Sequence, residues 1–412
     1  MNIVLIYFLL FSFWVTQVLG LKLTDVKGLS LLNLCIYLLL IAWAFEAVKK
    51  RRLLEPNSLN KYLILMIFVV VVSIPIKTLL SEVPRVSVLR EIMAVKSWGN
   101  PYLLFFILFN IIDNQKTCRR ALLGLGVLLI ITVSTMLLVT FGVIQFGTVE
   151  VIKGGRSAGF AEPNQYASYL VLFIPLLLSS FLFQRSFLTK TTAAILFTMT
   201  LSGLAITGSR GGALSFLFGT AAYLLIVNRQ KMIKLRAIMS VAATVLVMGI
   251  TAYVVVPSNV KQVLSQKFDP AGSEDLDDYT SGRTKIWHNG LLLFIDSPIF
   301  GHGQNTFVPL MEKRFLIGAN SHNDYLLYLV HYGIIGLAIF LMIFTKICQH
   351  VWYHLKATTN PWSKQLYISY IAGFLGYAFS MLSVNVFSPR YIFWIYTAVI
   401  YKYAQLETSK RV

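Results

Sequence analysis

Apolar residues recur along this chain in runs long enough to be read one at a time. Twelve such runs, separated by short polar breaks, lie near residues 2–19, 29–48, 61–76, 97–112, 121–144, 164–183, 191–207, 212–227, 237–256, 322–345, 365–384 and 388–404. A membrane-crossing helix needs about 20 mostly apolar residues. The pattern therefore predicts an all-α polytopic membrane protein with about 12 transmembrane helices, built as a single integral membrane domain over residues 1–412. The run at 97–112 reaches spanning length only if it begins inside the amphipathic segment before it, and the last two runs are divided only by Val386-Phe387-Ser388-Pro389. The widest polar interval, 257–321, separates the ninth and tenth runs and is predicted to be a large outer loop carrying short helices. Within it Ile286, Gly290, Leu293 and Phe294 recur at helical spacing, which predicts an amphipathic helix at the membrane surface with Trp287 at headgroup level. The stretch from Lys77 to Lys96 alternates apolar clusters with Arg85, Arg90, Glu91 and Lys96, and is predicted to lie along the interface.

Composition agrees with the pattern. Hydrophobic residues make up 57% of the 412 and charged residues 13%, against about 25% charged in ordinary globular chains. A soluble enzyme, a disordered chain and a disulfide scaffold are thereby excluded. The formal charge is +19, from 36 Lys+Arg and 17 Asp+Glu, a balance that in a soluble protein would point to nucleic acid. Here the cations have another address. One alternate set of loops and the C-terminal tail contain 20 of the 36, among them Lys49, Lys50, Arg51, Arg52, Lys116, Arg119 and Arg120. Basic residues collect on the cytoplasmic side, so that face is read as cytoplasmic, both termini are placed there, and no nucleic-acid partner is expected. The first run has no basic residue before it and ends in Gln17-Val18-Leu19-Gly20, a poor cleavage site, so it is read as a retained helix. Cys35, Cys118 and Cys348 fall in a helix or on the cytoplasmic side, which leaves no disulfide outside. Metal-ligand spacings such as HExxH and CxxC are absent, as are Walker A and GxGxxG patterns, so no metal or cofactor is expected.

Candidate chemistry concentrates on the outer face. Arg210 sits in Thr207-Gly208-Ser209-Arg210-Gly211-Gly212, between two apolar runs and at the predicted start of a helix. Arginine beside a helix N-terminus makes an anion site; an interfacial arginine reaching for lipid phosphate is the other reading. Arg283, at the start of the amphipathic segment, has the same two readings, a bidentate grip on a phosphorylated substrate or a contact with lipid. His322 lies in Ser321-His322-Asn323-Asp324-Tyr325, where Ser321 and Asp324 have the spacing of a capping box. Ser321 is then the N-cap and His322 the first helical residue, kept neutral by the helix dipole and suited to act as a general base for a sugar hydroxyl. A satisfied structural histidine is the alternative. Asn164 and Gln165 follow Pro163 at another predicted helix start and suit capping or sugar recognition. His331 lies deeper in its apolar run, where bonding to a neighbouring helix explains it, while His288 and His302 are outer-loop residues without an assigned role. His350 and His354 are expected to be solvated on the cytoplasmic side.

Four pieces in order resemble one family: Gly159-Phe160-Ala161-Glu162-Pro163-Asn164; Gly208-Ser209-Arg210-Gly211; Gly282-Arg283 through Trp287 with Asp296-Ser297-Pro298-Ile299-Phe300-Gly301-His302-Gly303; and Ser321-His322-Asn323-Asp324-Tyr325-Leu326 followed by Gly333-Ile334-Ile335-Gly336. Their order and spacing are similar to those of the O-antigen ligase and Wzy-type polymerase superfamily of bacterial envelope glycosyltransferases, with an O-antigen ligase-like core over 150–345. The resemblance implies a GT-C-like, metal-independent, inverting transferase in the bacterial inner membrane, its active site facing the periplasm, so that 257–321 is a periplasmic loop. The implied donor is a glycan on undecaprenyl diphosphate and the implied acceptor is lipid A-core oligosaccharide or another lipid-linked glycan. By motif, Arg210 and Arg283 match the arginines that engage the donor diphosphate and His322 matches the catalytic histidine; Asn164, Trp287, Asn323 and Tyr325 are candidate glycan or acceptor contacts. The polymerase-associated Arg-x10-Gly pattern is absent at Arg156, Arg210 and Arg283, where Ala167, Ala221 and Phe294 stand eleven positions on. That favours a ligase over a polymerase. A transporter of lipid-linked glycan is a second alternative, against which stands the placement of most charges at helix boundaries rather than near the bilayer midplane.

Overall fold

The computed structural model describes residues 2–21, 30–80, 83, 88–144, 151–152, 156–157, 162–184, 186–230, 258, 261–262, 282–387 and 389–408. The expected ninth run at 237–256, the acidic stretch 269–278, Arg85 and the Gly159-Phe160-Ala161 part of the first motif lie outside these residues. Helix α1 (Asn2–Phe13) runs into a π-helical turn, Trp14–Val18, and is followed by α2 (Leu31–Lys50), α3 (Asn60–Leu80), α4 (Val88–Ile111) and α5 (Gln115–Thr140). Two-residue strands, β1 (Val151–Ile152) and β2 (Arg156–Ser157), pair antiparallel before α6 (Pro163–Phe183), α7 (Phe187–Ile206) and α8 (Arg210–Arg229). Then come α9 (Arg283–Asp296), α10 (Phe307–Phe315), α11 (Asp324–Ala357), α12 (Pro361–Ser380) and α13 (Pro389–Thr408).

Eight of these helices, α2 to α8 and α11, are long and apolar enough to cross a membrane, which makes the chain a polytopic all-α membrane protein. Helices α12 and α13 also occupy the expected runs but are more polar, with Tyr367, Tyr370, Tyr377, Tyr396, Tyr401 and Tyr403 all buried. Protein, not lipid, surrounds them: α12 packs on α6 and α8, and α13 on α4. A helix enclosed by other helices exchanges hydroxyl hydrogen bonds with them, such as Tyr370 to Thr397 at 2.8 Å, and does not need lipid-facing apolarity. Close approach in this core depends on small residues. A methyl group at Gly373 would overlap the Leu172 carbonyl of α6.

The segment from Lys77 to Lys96 differs from the interfacial reading. It forms the end of α3 and the start of α4, and Lys77 pairs with Glu91 at 2.6 Å with both side chains buried. Alternating charge here reflects two partners facing each other across a helical hairpin. His350 and His354 also depart from expectation, because His350 stacks on Tyr401 at 3.6 Å between ring centroids and His354 is buried with Nδ1 bonded to Thr408 at 2.9 Å.

The expected span at 322–345 extends to Ala357 and is interrupted at Gly333, whose φ of 63° and ψ of −164° are not helical. An interrupted helix frees backbone groups that have no water to bond to in an apolar medium. The loop between α9 and α10 re-pairs them. Val330 O, which Ile334 N would reach in a continuous helix, instead accepts the His302 N–H at 2.8 Å, and Ile334 N–H donates to Pro298 O at 2.8 Å. Gly303 N–H donates to His331 O at 2.9 Å. Only glycine fits the centre of this exchange, since a Cβ at Gly333 would overlap Ile299 O and a Cβ at Gly301 would press on the His331 carbonyl. The motif pair around Gly301 and Gly333 is thus one structural device, a loop keyed into a helix break.

Gly333→Ala is expected to lower stability by at least about 1–3 kcal/mol, the cost of a non-glycine residue in this backbone region, before any overlap is counted. Thermal unfolding of the solubilised protein measures it. Gly126→Ala is the control: its Cβ meets nothing within 4 Å, and its helical position predicts a gain of about 0.5–1 kcal/mol.

Candidate functional site

Four separated parts of the sequence supply the candidate residues, each at a helix start. Pro163 opens α6 as its first helical residue with Glu162 at the N-cap; the Asn164 side-chain amide donates to the Glu162 carboxylate. Gly208, with φ of 55°, turns the chain before α8, Ser209 caps that helix by accepting the Gly212 N–H at 3.1 Å, and Arg210 is its first residue. Gly282, with φ of 77°, precedes Arg283, the first residue of α9. His322 stands two residues before α11.

Close packing brings these starts together. A methyl at Gly212 would overlap Ala167 Cβ of α6, and one at Gly211 would overlap Ser383 Oγ in the turn between α12 and α13. The charges register the same convergence. Burial lowers the Arg283 pKa, Glu162 acts to raise it and Arg210 to lower it; the guanidinium stays cationic at any physiological pH. Burial also lowers the His322 pKa from 6.5, the Arg283 charge lowers it further, and Glu162 opposes both. Arg210, Arg283, His322 and Glu162 therefore share one half-buried electrostatic site. Each start turns unpaired N–H groups and a partial positive charge outward.

The capping expectation at His322 is corrected. Asn323, not Ser321, is the N-cap of α11, with Oδ1 accepting the Leu326 N–H at 3.1 Å, and His322 lies outside the helix with φ of 47°. Asp324 fills the first helical position, but its carboxylate turns away from the cap toward the α12–α13 turn. There it accepts the Asn385 amide at 3.1 Å and the Val386 N–H at 3.1 Å. Neutral imidazole is still expected, for a different reason: burial and the Arg283 charge replace the first-turn dipole.

Asn385 is the residue that holds this left-handed backbone. Its Oδ1 accepts the His322 N–H at 2.9 Å, while its amide donates to Ser321 Oγ at 2.9 Å as well as to Asp324. Asn385 is 4% exposed and Asp324 1%, so both ends of the clasp are sealed from solvent. Trp287 completes it from α9 by donating Nε1–H to Ser321 O at 2.9 Å. One helical turn separates Trp287 from Arg283, so the indole ties the position of Arg283 to that of His322.

The other candidate residues have structural partners too. Tyr325 donates its hydroxyl to Ala378 O at 2.8 Å. His302 is buried with Nε2 bonded to Leu293 O at 2.7 Å, and His331 Nε2 accepts the Phe307 N–H at 3.4 Å, as expected for a histidine bonding to a neighbouring element. His288 is exposed on α9. Sequence reasoning missed two participants. Glu162 stood in a quoted motif without a role, and its only signal was being the one carboxylate beside Pro163. Asn385 had no periodic signal, since its partner His322 lies 63 positions earlier.

Two outcomes are expected. Histidine-selective NMR places the His322 titration below 6.5, and Glu162→Gln moves it lower still, because the carboxylate is the group that raises it; an unchanged midpoint would remove Glu162 from the site. Asn385→Ala strands buried Asp324 and Ser321 groups and costs about 1–3 kcal/mol in thermal unfolding.

No curated protein matches the chain. Residues 192–341 match the family model described as O-antigen ligase. The matched region includes Arg210, Arg283 and His322, and also both halves of the loop-and-break device at Gly301 and Gly333. This match over residues 192–341 supports the O-antigen ligase and Wzy-type reading that the ordered motifs carry.

Proposed function

We propose that this chain transfers a glycan from undecaprenyl diphosphate to an acceptor hydroxyl at the periplasmic face of the bacterial inner membrane. We assign it to the O-antigen ligase type, with lipid A-core oligosaccharide as acceptor. The observation that carries this reading is the pairing of two arginines, each the first residue of a helix, with a neutral histidine on which one of them acts. Like charges brought together in a half-buried site repel each other, and a diphosphate bridging them relieves that repulsion. Arginine forms bidentate, charge-assisted bonds to phosphate oxygens.

The chemistry follows from those roles. Arg210 and Arg283 hold the diphosphate and neutralise the charge that grows on it as the anomeric C–O bond to phosphate breaks. His322 accepts the proton of the acceptor hydroxyl while its oxygen forms the new bond to the anomeric carbon from the opposite face, which inverts the configuration. Glu162 offsets the positive charge that His322 then carries. A diphosphate is already a good leaving group, so preorganised cations and one base suffice without a metal. Trp287 and Asn385 keep donor and acceptor sides in register, and Asn164, Asn323 and Tyr325 contact the glycan or the acceptor.

Transfer by Arg210→Ala or Arg283→Ala is expected to fall about 10²–10³-fold, the usual loss for one preorganised charge-stabilising group. Removing a general base with His322→Ala costs about 10²–10⁴-fold, and wild-type turnover by that variant would remove the base assignment. A deletion strain separates acceptors. Long polymer accumulating on undecaprenyl diphosphate beside bare lipid A-core means ligase. Loss of long chains with single repeats still attached to core means polymerase, and unchanged pools reject both.

A further inference from the structure

An apolar groove lies away from the candidate site. It has a volume of about 720 Å³ and runs between α5, α6, α7 and α12. Its position along the helices can be read from the residues that line it. Helices α6, α7 and α12 reach the Arg210 and His322 cluster at Pro163, Ile206 and Ser380, whereas the groove opens near Thr189 of α7 and Asn360 of α12, at their other ends. Roughly 20 residues of helix, about 30 Å at 1.5 Å per residue, separate the two places.

Shape and chemistry change along the groove. Its walls, including Leu122, Val127, Ile130, Leu176 and Leu196, are aliphatic. On α5 the lining extends from Arg119 to Ile130, which is about 16 Å of helix rise and close to half of a hydrocarbon core about 30 Å thick. That is the depth of one leaflet. At its mouth stands Arg119, whose guanidinium lies 4.8 Å over the Trp362 ring and reaches the Tyr403 hydroxyl at 3.5 Å. Among the described residues Arg119 has no carboxylate within ion-pair distance. Stacking holds the guanidinium plane and leaves N–H edges for a planar or tetrahedral anion. Lys116 and Arg120 flank it on the first turns of α5, and Lys190 and Lys364 begin α7 and α12.

We propose that this groove is a binding site for an anionic diacyl phospholipid of the leaflet opposite the candidate site, with an acyl chain along α5 and the headgroup phosphate on Arg119. Lipid tails are as apolar as the groove walls, so occupancy by a tail alone brings no hydrophobic gain over bulk bilayer. Selection must come from the headgroup end. The concentration of basic side chains there favours an anionic lipid over a zwitterionic one. The site is independent of the transferase reading, since neither its geometry nor its test uses glycan transfer.

Native mass spectrometry of the solubilised full chain, titrated with phosphatidylglycerol or with phosphatidylcholine of the same acyl composition, tests it. Wild type is expected to retain phosphatidylglycerol preferentially. Arg119→Ala should weaken that lipid about fivefold, the worth of one basic side chain at an anionic surface, and leave phosphatidylcholine unchanged. Gly126 lines the groove, and a Cβ there meets nothing within 4 Å, so Gly126→Phe places a ring in the groove from an unobstructed backbone position. It should displace both lipids. Equal retention of the two lipids by wild type, or no change in phosphatidylglycerol binding in Arg119→Ala, overturns the headgroup assignment; undiminished binding in Gly126→Phe overturns the groove.

Discussion

Backbone groups in an apolar medium must find partners, and the break in α11 at Gly333 is where this protein meets that demand most directly. A continuous helix would need nothing from its neighbours. An interrupted one exposes Val330 O and Ile334 N, and the loop from Pro298 to Gly303 supplies the missing donor and acceptor. Because that loop follows α9 directly, the repair also docks α9 against the upper turns of α11. The placement of Arg283 relative to His322 is a consequence. Glycine at 301 and 333 is required by contact as well as by backbone angle, which explains why two short motifs about 30 residues apart occur together.

The site inherits its character from this arrangement. Helix starts carry partial positive charge, each worth about 0.3–1 kcal/mol toward a nearby anion at exposed positions and more when partly buried. Four of them converge here together with two guanidinium groups, the Glu162 carboxylate and the buried Asp324. Such a place favours an anion over a cation. Burial and the Arg283 charge also lower the His322 pKa, so the charge that favours an anion favours a neutral imidazole as well. Holding His322 in a left-handed backbone costs energy in a non-glycine residue, and the buried Asn385 and Asp324 clasp offsets it.

Polar residues elsewhere follow the same economy of position. Lys77 and Glu91 are buried as a pair, and Lys402 is buried against Glu55, so charges inside the bundle are matched. Arg210 and Arg283 stand at helix starts at one end of the bundle, and Arg119 stands at the other. Tyrosine-rich α12 and α13 show why hydropathy understates membrane helices that protein encloses.

Much of this was readable along the chain. Apolar periodicity located most of the described helices to within a few residues, although α4 begins already at Val88 and α11 runs on to Ala357; Pro163 and the Gly208 to Gly212 turn marked two helix starts, and the ordered motifs singled out Arg210, Arg283 and His322. These signals are local: run length, turn chemistry and spacing act within one or two turns of the residue concerned. What they missed depends on partners far apart in sequence. The true N-cap at Asn323 follows from Asp324 being drawn to Asn385, and the bond from Trp287 to Ser321 joins residues 34 positions apart. Lys77 and Glu91 read as an interfacial stretch until the hairpin set them face to face. The sequence by itself determined that this is a polytopic helical membrane protein whose ordered motifs resemble the O-antigen ligase and Wzy-type family and whose outer-face arginines stand at helix starts. Only the tertiary structure decided which charges share one site and which side chains hold them, because hydrogen bonds and Coulomb interactions depend on distance in space and not on distance along the chain.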